Sequence, residues 1–90
     1  MKIDYEFAIT LAKVTGFYSL VECALEQDDL HQVHELLSIE LAAYEKATEL
    51  MKRVESPTFK NFFKYWLPDK LAKTQEALRK IEEAINDKEN

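Results

Sequence analysis

Apolar residues recur along this chain at alternating steps of four and three, and that rhythm divides it into three helices. In the first, Phe7, Leu11, Val14, Tyr18, Val21 and Leu25 form an unbroken heptad seam, which predicts a helix over about 3–26. Gly16 lies inside this seam and costs about 1 kcal/mol relative to alanine, too little to end the helix. The second seam is Val33, Leu37, Tyr44, Ala47, Met51 and Val54, and it predicts a helix over 29–54. Its one missing step, position 40, is a glutamate. Asp29 is placed to cap this helix, with Gln32 three residues on as the reciprocal partner of a capping box.

Ser56-Pro57 reads as an N-cap followed by proline at the first helical position, so a third helix starts near Pro57 and runs to about 86. Its early part is aromatic, and Leu71, Thr74, Leu78, Ile81 and Ile85 then resume the heptad. Pro68 has no N–H to give and crowds the preceding turn, so this helix is expected to kink or break there. Residues 87–90 are expected to fray.

Short connections force each helix to return beside the one before it. The expected fold is therefore an all-α, antiparallel up-down-up bundle of three long helices, forming a single domain over 1–90. If Leu25 faces Val33 across the first turn, Tyr18 falls opposite Glu40, and Thr74 reaches the same level from the third helix. Tyr18, Glu40 and Thr74 then make a buried polar layer. A slipped helix would leave the Glu40 carboxylate against apolar side chains, so the layer is expected to lock register rather than do chemistry.

Composition narrows the class further. One glycine and two prolines in 90 residues, with 47% hydrophobic residues, argue against a turn-rich β fold and a disordered chain. Asp4 and Glu6, close behind Lys2, speak against a secretory signal. The apolar run from Phe7 to Leu25 is interrupted by Lys13 and Glu22, which fits a buried amphipathic helix better than a membrane span. The single cysteine, Cys23, cannot form an internal disulfide and fits a reducing, cytoplasmic setting, where it is expected to be a partly buried inert thiol.

The net charge of −5 is unevenly spread. Residues 1–51 hold ten acidic and three basic side chains, residues 52–80 hold three acidic and eight basic, and the tail is acidic again. An acidic whole argues against a general nucleic-acid binder, while the basic block keeps a local anionic contact open.

Catalytic chemistry has little to stand on. A single glycine leaves no phosphate-cradling loop, and Cys23 has no evident base and oxyanion partner. His31 and His34 stand at i, i+3 on the start of the second helix, but no second ligand cluster accompanies them. The Glu-x-x-His pairs of di-iron bundles are absent from the sequence. No catalytic residue, metal site or cofactor is expected, and the chain reads as a non-enzyme.

What remains is surface. Ile9, Ala12, Gly16, Leu20 and Cys23 lie on the back of the first helix, away from its seam, and a helix with apolar residues on two faces is covered on both. Homodimerisation through this face is expected. The segment 59–66 interleaves aromatic rings with lysines, and Phe62, Trp66, Tyr65, Lys60 and Lys64 are the expected contacts for a protein partner. The function expected is that of a small protein-interaction module, an inhibitor or regulator of a larger protein. The alternative is a membrane-surface or immunity-type helical protein acting through 59–66, and a nucleic-acid-associated regulator ranks third.

Overall fold

The computed structural model describes residues 2–12 and 17–89, and within these it describes side chains other than those of residues 12 and 17–19. These residues are all-helical, with four helices packing against one another: α1 (Lys2–Ala12), α2 (Phe17–Glu26), α3 (Leu30–Met51) and α4 (Pro57–Glu89). The α3 helix is central, and α1, α2 and α4 each pack on it. The molecule is a rod of about 49 × 19 × 16 Å.

Residues 13–16, where the first seam was expected to run on through Val14 and Gly16, lie outside the described residues. The seam differs between its two described ends. Phe7 and Leu11 are buried as expected, but at the far end Ala24 is buried and Leu25 is 48% exposed. A one-residue shift rotates a helix by about 100°, enough to exchange the two. The facing of Leu25 against Val33 is thereby replaced by Ala24 against Val33.

The turn between α2 and α3 is built from hydrogen bonds that sequence alone only half foretells. Asp29 N–H donates to Ala24 O at 2.9 Å and Asp28 N–H to Leu25 O at 3.0 Å. With Asp28 at φ +57°, this is a Schellman C-cap that uses aspartate where glycine is usual. Asp29 then serves α3 as N-cap: its carboxylate accepts from the Gln32 backbone N–H at 3.1 Å. The cap is as expected, but the reciprocal half of the capping box is not formed, because the Asp29 N–H that Gln32 was expected to hold goes to Ala24 O.

The other end of α3 closes three residues earlier than the seam suggested. Lys52, Arg53 and Val54 N–H groups bond three residues back, to Glu49, Leu50 and Met51. The last turn thus tightens, and Val54 is still carried into the core, where it is 1% exposed. Ser56 caps α4 as predicted, its hydroxyl accepting from Phe59 N–H at 3.2 Å.

Of the two outcomes expected at Pro68, the break is excluded, because α4 continues through it as one helix of 33 residues. The carbonyl that Pro68 cannot satisfy is that of Lys64. Both residues are exposed, so water can take the place of the missing donor. The fraying expected over 87–90 is not seen up to Glu89. Lys88 pairs with Asp28 and Glu89 lies 3.4 Å from His31, which ties the last turn of α4 to the start of α3.

Two buried clusters fill the rod. One joins Phe7 and Leu11 of α1 to Tyr44, Ala47, Leu50 and Val54 and to Leu67 of α4. The other joins Ala24 of α2 to Val33, Leu36, Leu37 and Leu78. Among the described residues, no helix is long and apolar enough to cross a membrane.

Candidate interaction surface

The aromatic segment of α4 is divided by the helix that carries it. Successive residues turn by about 100°, so eight in a row must point to all sides. Phe63 packs edge-on against Phe7 at 5.2 Å between ring centroids, and Phe59 lies 6.0 Å from Phe7. Trp66 is half-buried, with its ring at 5.4 Å from Phe63 and 6.1 Å from Tyr44. These three rings dock α1 and α3 onto α4. Phe62 and Tyr65 do not join them: they are 69% and 76% exposed. Phe62 still leans edge-on against Phe63, at 4.8 Å, so it is presented on a fixed base.

The two lysines named with them face elsewhere. Lys60 and Lys64 border a groove of about 490 Å³ between α3 and α4, whose apolar floor is Met51, Phe63, Leu67 and Leu71. Lys52 completes a basic rim from the α3 side. Phe62 and Tyr65 do not line it. The five residues expected to form one partner contact therefore belong to two neighbouring faces, with Trp66 shared with the core. Lys64 bridges the faces, its ammonium standing 5.4 Å from the Tyr65 ring centre.

On the back of the first two helices, Ile9 is 37% and Leu20 51% exposed, and Cys23 is an exposed thiol. Cys23 is therefore not the partly buried residue expected. It sits one position from Ala24, the residue that the shifted seam turns inward. Gly16 and the side chain of Ala12 lie outside the described residues. Tyr5 is exposed one turn before Ile9 and belongs to the same face. Its heptad position places it there, but a tyrosine near an N-terminus is easily passed over as solvent-facing.

In the expected polar layer, Thr74 is buried and Glu40 half-buried, while the side chain of Tyr18 lies outside the described residues. The Glu40 carboxylate has a partner one turn away on its own helix, since Tyr44 Oη donates to its Oε1 at 3.2 Å. The consequence falls on the phenol. Burial, with the Glu40 charge and hydrogen bond adding to it, pushes the Tyr44 pKa up to about 12.

A second carboxylate matters more, and nothing in the hydrophobic rhythm marked it. Asp4 is buried, and its two oxygens accept from the backbone N–H groups of Glu55 and Ser56, at 2.9 and 3.1 Å. It fastens the start of α1 to the turn that launches α4. The only available signal was an acid at i−3 from Phe7, one turn before the seam.

His31 and His34 face α4, with His34 Nε2 at 3.3 Å from Glu82. Among the described residues, no group of three or more His, Cys, Asp or Glu side chains is placed to share a metal ion. No family model, curated protein or solved structure matches the chain.

Proposed function

We propose that this chain is a small, non-enzymatic protein-interaction module of the inhibitor or regulator kind, which binds a larger protein through the N-terminal half of α4. The observation that carries this reading is the pair of large exposed rings, Phe62 and Tyr65, on a helix whose neighbouring rings are anchored in the core. Exposed aromatics on a rigid base lose little freedom on binding, which is why such residues dominate protein interfaces.

The finer fold in this proposal is an antiparallel three-helix bundle in which α1 and α2 belong to one arm. In its support, α1 packs beside the C-terminal half of α3 and α2 beside its N-terminal half, as a returning arm must. Tyr18, Glu40 and Thr74 are the proposed register layer at its middle. The back of α1 and α2, including Ile9, Leu20 and Cys23, is the proposed homodimer face. An exposed thiol there suits a reducing, cytoplasmic setting.

The test is affinity capture from the native host with the wild-type chain beside a Phe62→Ser, Tyr65→Ser variant. Both side chains are exposed, so the variant is expected to keep its fold, as circular dichroism will check. A protein captured by wild type and lost with the variant supports the reading, and equal capture by both overturns it. Light scattering reads the oligomer, and a monomeric mass at high protein concentration overturns the dimer.

A further inference from the structure

The α3–α4 pair is covered by α1 on one side, where Phe7 and Leu11 join its core. The groove opens elsewhere, and none of its described lining residues comes from α1 or α2. Its floor keeps apolar surface in contact with water: Leu67 is buried, but Met51, Phe63 and Leu71 are each only half-buried. On α4 the lining positions Lys60, Phe63, Leu67 and Leu71 follow helical spacing along one stripe, about 17 Å long at 1.5 Å per residue. The apolar part of this stripe, Phe63 to Leu71, is about two turns long, and with Met51 across from it the trough has the shape that accepts one more helix.

The rim states what charge that helix should carry. Lys52, Lys60 and Lys64 line the groove, and no acidic side chain does. Lys52 has Glu49 at 3.2 Å, but among the described residues neither Lys60 nor Lys64 has a carboxylate within ion-pair distance. A concentrated positive rim on a chain of net charge −5 repels basic partners locally and attracts acidic ones.

We infer that the α3–α4 groove is the docking site for an acidic amphipathic helix of a partner protein, with its apolar stripe on Met51, Phe63, Leu67 and Leu71 and its carboxylates on Lys60 and Lys64. This rests on the reading of the chain as an interaction module and names the chemistry of the partner. It also separates two jobs on one helix. The groove recognises a helix, and Phe62 and Tyr65 present a second contact on another face.

The experiment uses three probes against the full chain, followed by titration calorimetry and by backbone amide shifts in NMR. The first is a 14-residue capped peptide with leucines at i, i+3, i+4 and i+7 and glutamate at its other positions. The second replaces each glutamate with lysine. The third is dodecanoate below its micelle concentration. The glutamate peptide is expected to bind saturably, to shift amides at 48–52 and 60–71, and to weaken as salt rises. A Lys60→Glu, Lys64→Glu variant should lose at least tenfold in affinity. A Lys46→Glu, Lys80→Glu variant, with the same charge change at exposed sites away from the groove, should lose less than threefold.

Equal binding of the two peptides overturns the proposal, as does a groove that takes dodecanoate and neither peptide. Equal losses in the two variants also overturn it, because the effect is then one of net charge. These failures leave the broader reading standing wherever capture still depends on Phe62 and Tyr65. Loss of that dependence removes the broader reading even if the peptide binds.

Discussion

The two ends of this rod are held together by different means. At the end where α3 gives way to α4, the core is aromatic, with Phe7, Phe59 and Trp66 each in edge contact with Phe63, and its polar fastener is the buried carboxylate of Asp4. At the end where α2 gives way to α3, the core is aliphatic, built from Ala24, Val33, Leu36, Leu37 and Leu78. Its fasteners are solvent-facing side-chain contacts, His31 with Glu89 and His34 with Glu82, and the exposed ion pair of Asp28 with Lys88. A buried acceptor that satisfies two backbone donors is costly to remove, whereas exposed pairs contribute little. Stability should therefore be concentrated at the aromatic end, which also carries both proposed contact surfaces. A rigid base beneath an interface lowers the ordering cost of binding, so the two facts support each other.

The largest effect should come from breaking the aromatic end at its centre. Phe7 is 0% exposed and touches two rings of α4, so Phe7→Ala removes a large side chain from a fully buried site. A loss of about 3–5 kcal/mol is expected in urea unfolding. Leu78→Ala, at the aliphatic end, should cost about 2–3 kcal/mol. Equal losses at the two sites would dissolve the contrast between the ends.

Asp4→Ala tests the fastener. It strands two N–H groups at the start of α4, and about 1–3 kcal/mol should be lost. The matching change at the other end, Lys88→Ala, removes one exposed pair and should cost less than about 0.5 kcal/mol. Amide exchange adds a spatial check: in Asp4→Ala, protection should fall first around residues 55–60.

How much of this contrast was legible in the sequence depends on what each feature rests on. Caps rest on local rules, so Asp29, Ser56 and the Phe7-Leu11 and Ala47-Val54 seams read correctly from spacing, whereas three helices were expected and four are described. The facing of α2 that buries Ala24 and exposes Leu25 could not be read so, because both residues are apolar and spacing alone does not choose between them. Pro68 was expected to kink or break α4, and the break does not occur, because the orphaned Lys64 carbonyl can face water. The division of residues 59–66 into two faces was legible in principle from the 100° step, since Lys60 and Lys64 share a stripe that Phe62 and Tyr65 leave. Asp4 was not legible. Its partners, Glu55 and Ser56, lie some fifty residues away, and only tertiary structure brings such groups together.

Between the two ends, Tyr44 offers a test by pH. Its phenol is pushed from 10.0 to about 12 by burial and by Glu40. Below pH 10 the phenol is protonated in both folded and unfolded chains, and its contribution is fully present. Between 10 and 12 the unfolded chain releases the proton while the folded chain holds it, so stability falls as pH rises through this window. Two pH units correspond to about 2.7 kcal/mol, and solvent screening at the half-buried Glu40 reduces the expected loss to about 1–2 kcal/mol. Tyr44→Phe should flatten this decline and should also remove a phenolate absorbance step near pH 12. An unchanged alkaline profile would show that burial and Glu40 together do not hold the Tyr44 phenol protonated in solution.

The smallest effect has the opposite sign and bears on the aliphatic end alone. Asp28 occupies the left-handed region at φ +57°, where a side chain costs about 1 kcal/mol that glycine does not pay. Glycine brings its own penalty through the greater freedom of the unfolded chain, and Asp28→Gly also forfeits the exposed pair with Lys88. The backbone bonds of the Schellman turn are indifferent to the change, because the N–H of residue 28 still reaches Leu25 and that of Asp29 still reaches Ala24. Relief of strain should exceed both losses by a few tenths of a kcal/mol, seen as a rise in melting temperature of about 1–3 °C. A fall instead would mean that the exposed Asp28–Lys88 pair holds this end more firmly than its solvent exposure implies. The aliphatic end would then owe its stability to charge, and the contrast with Asp4 would be one of kind rather than of strength.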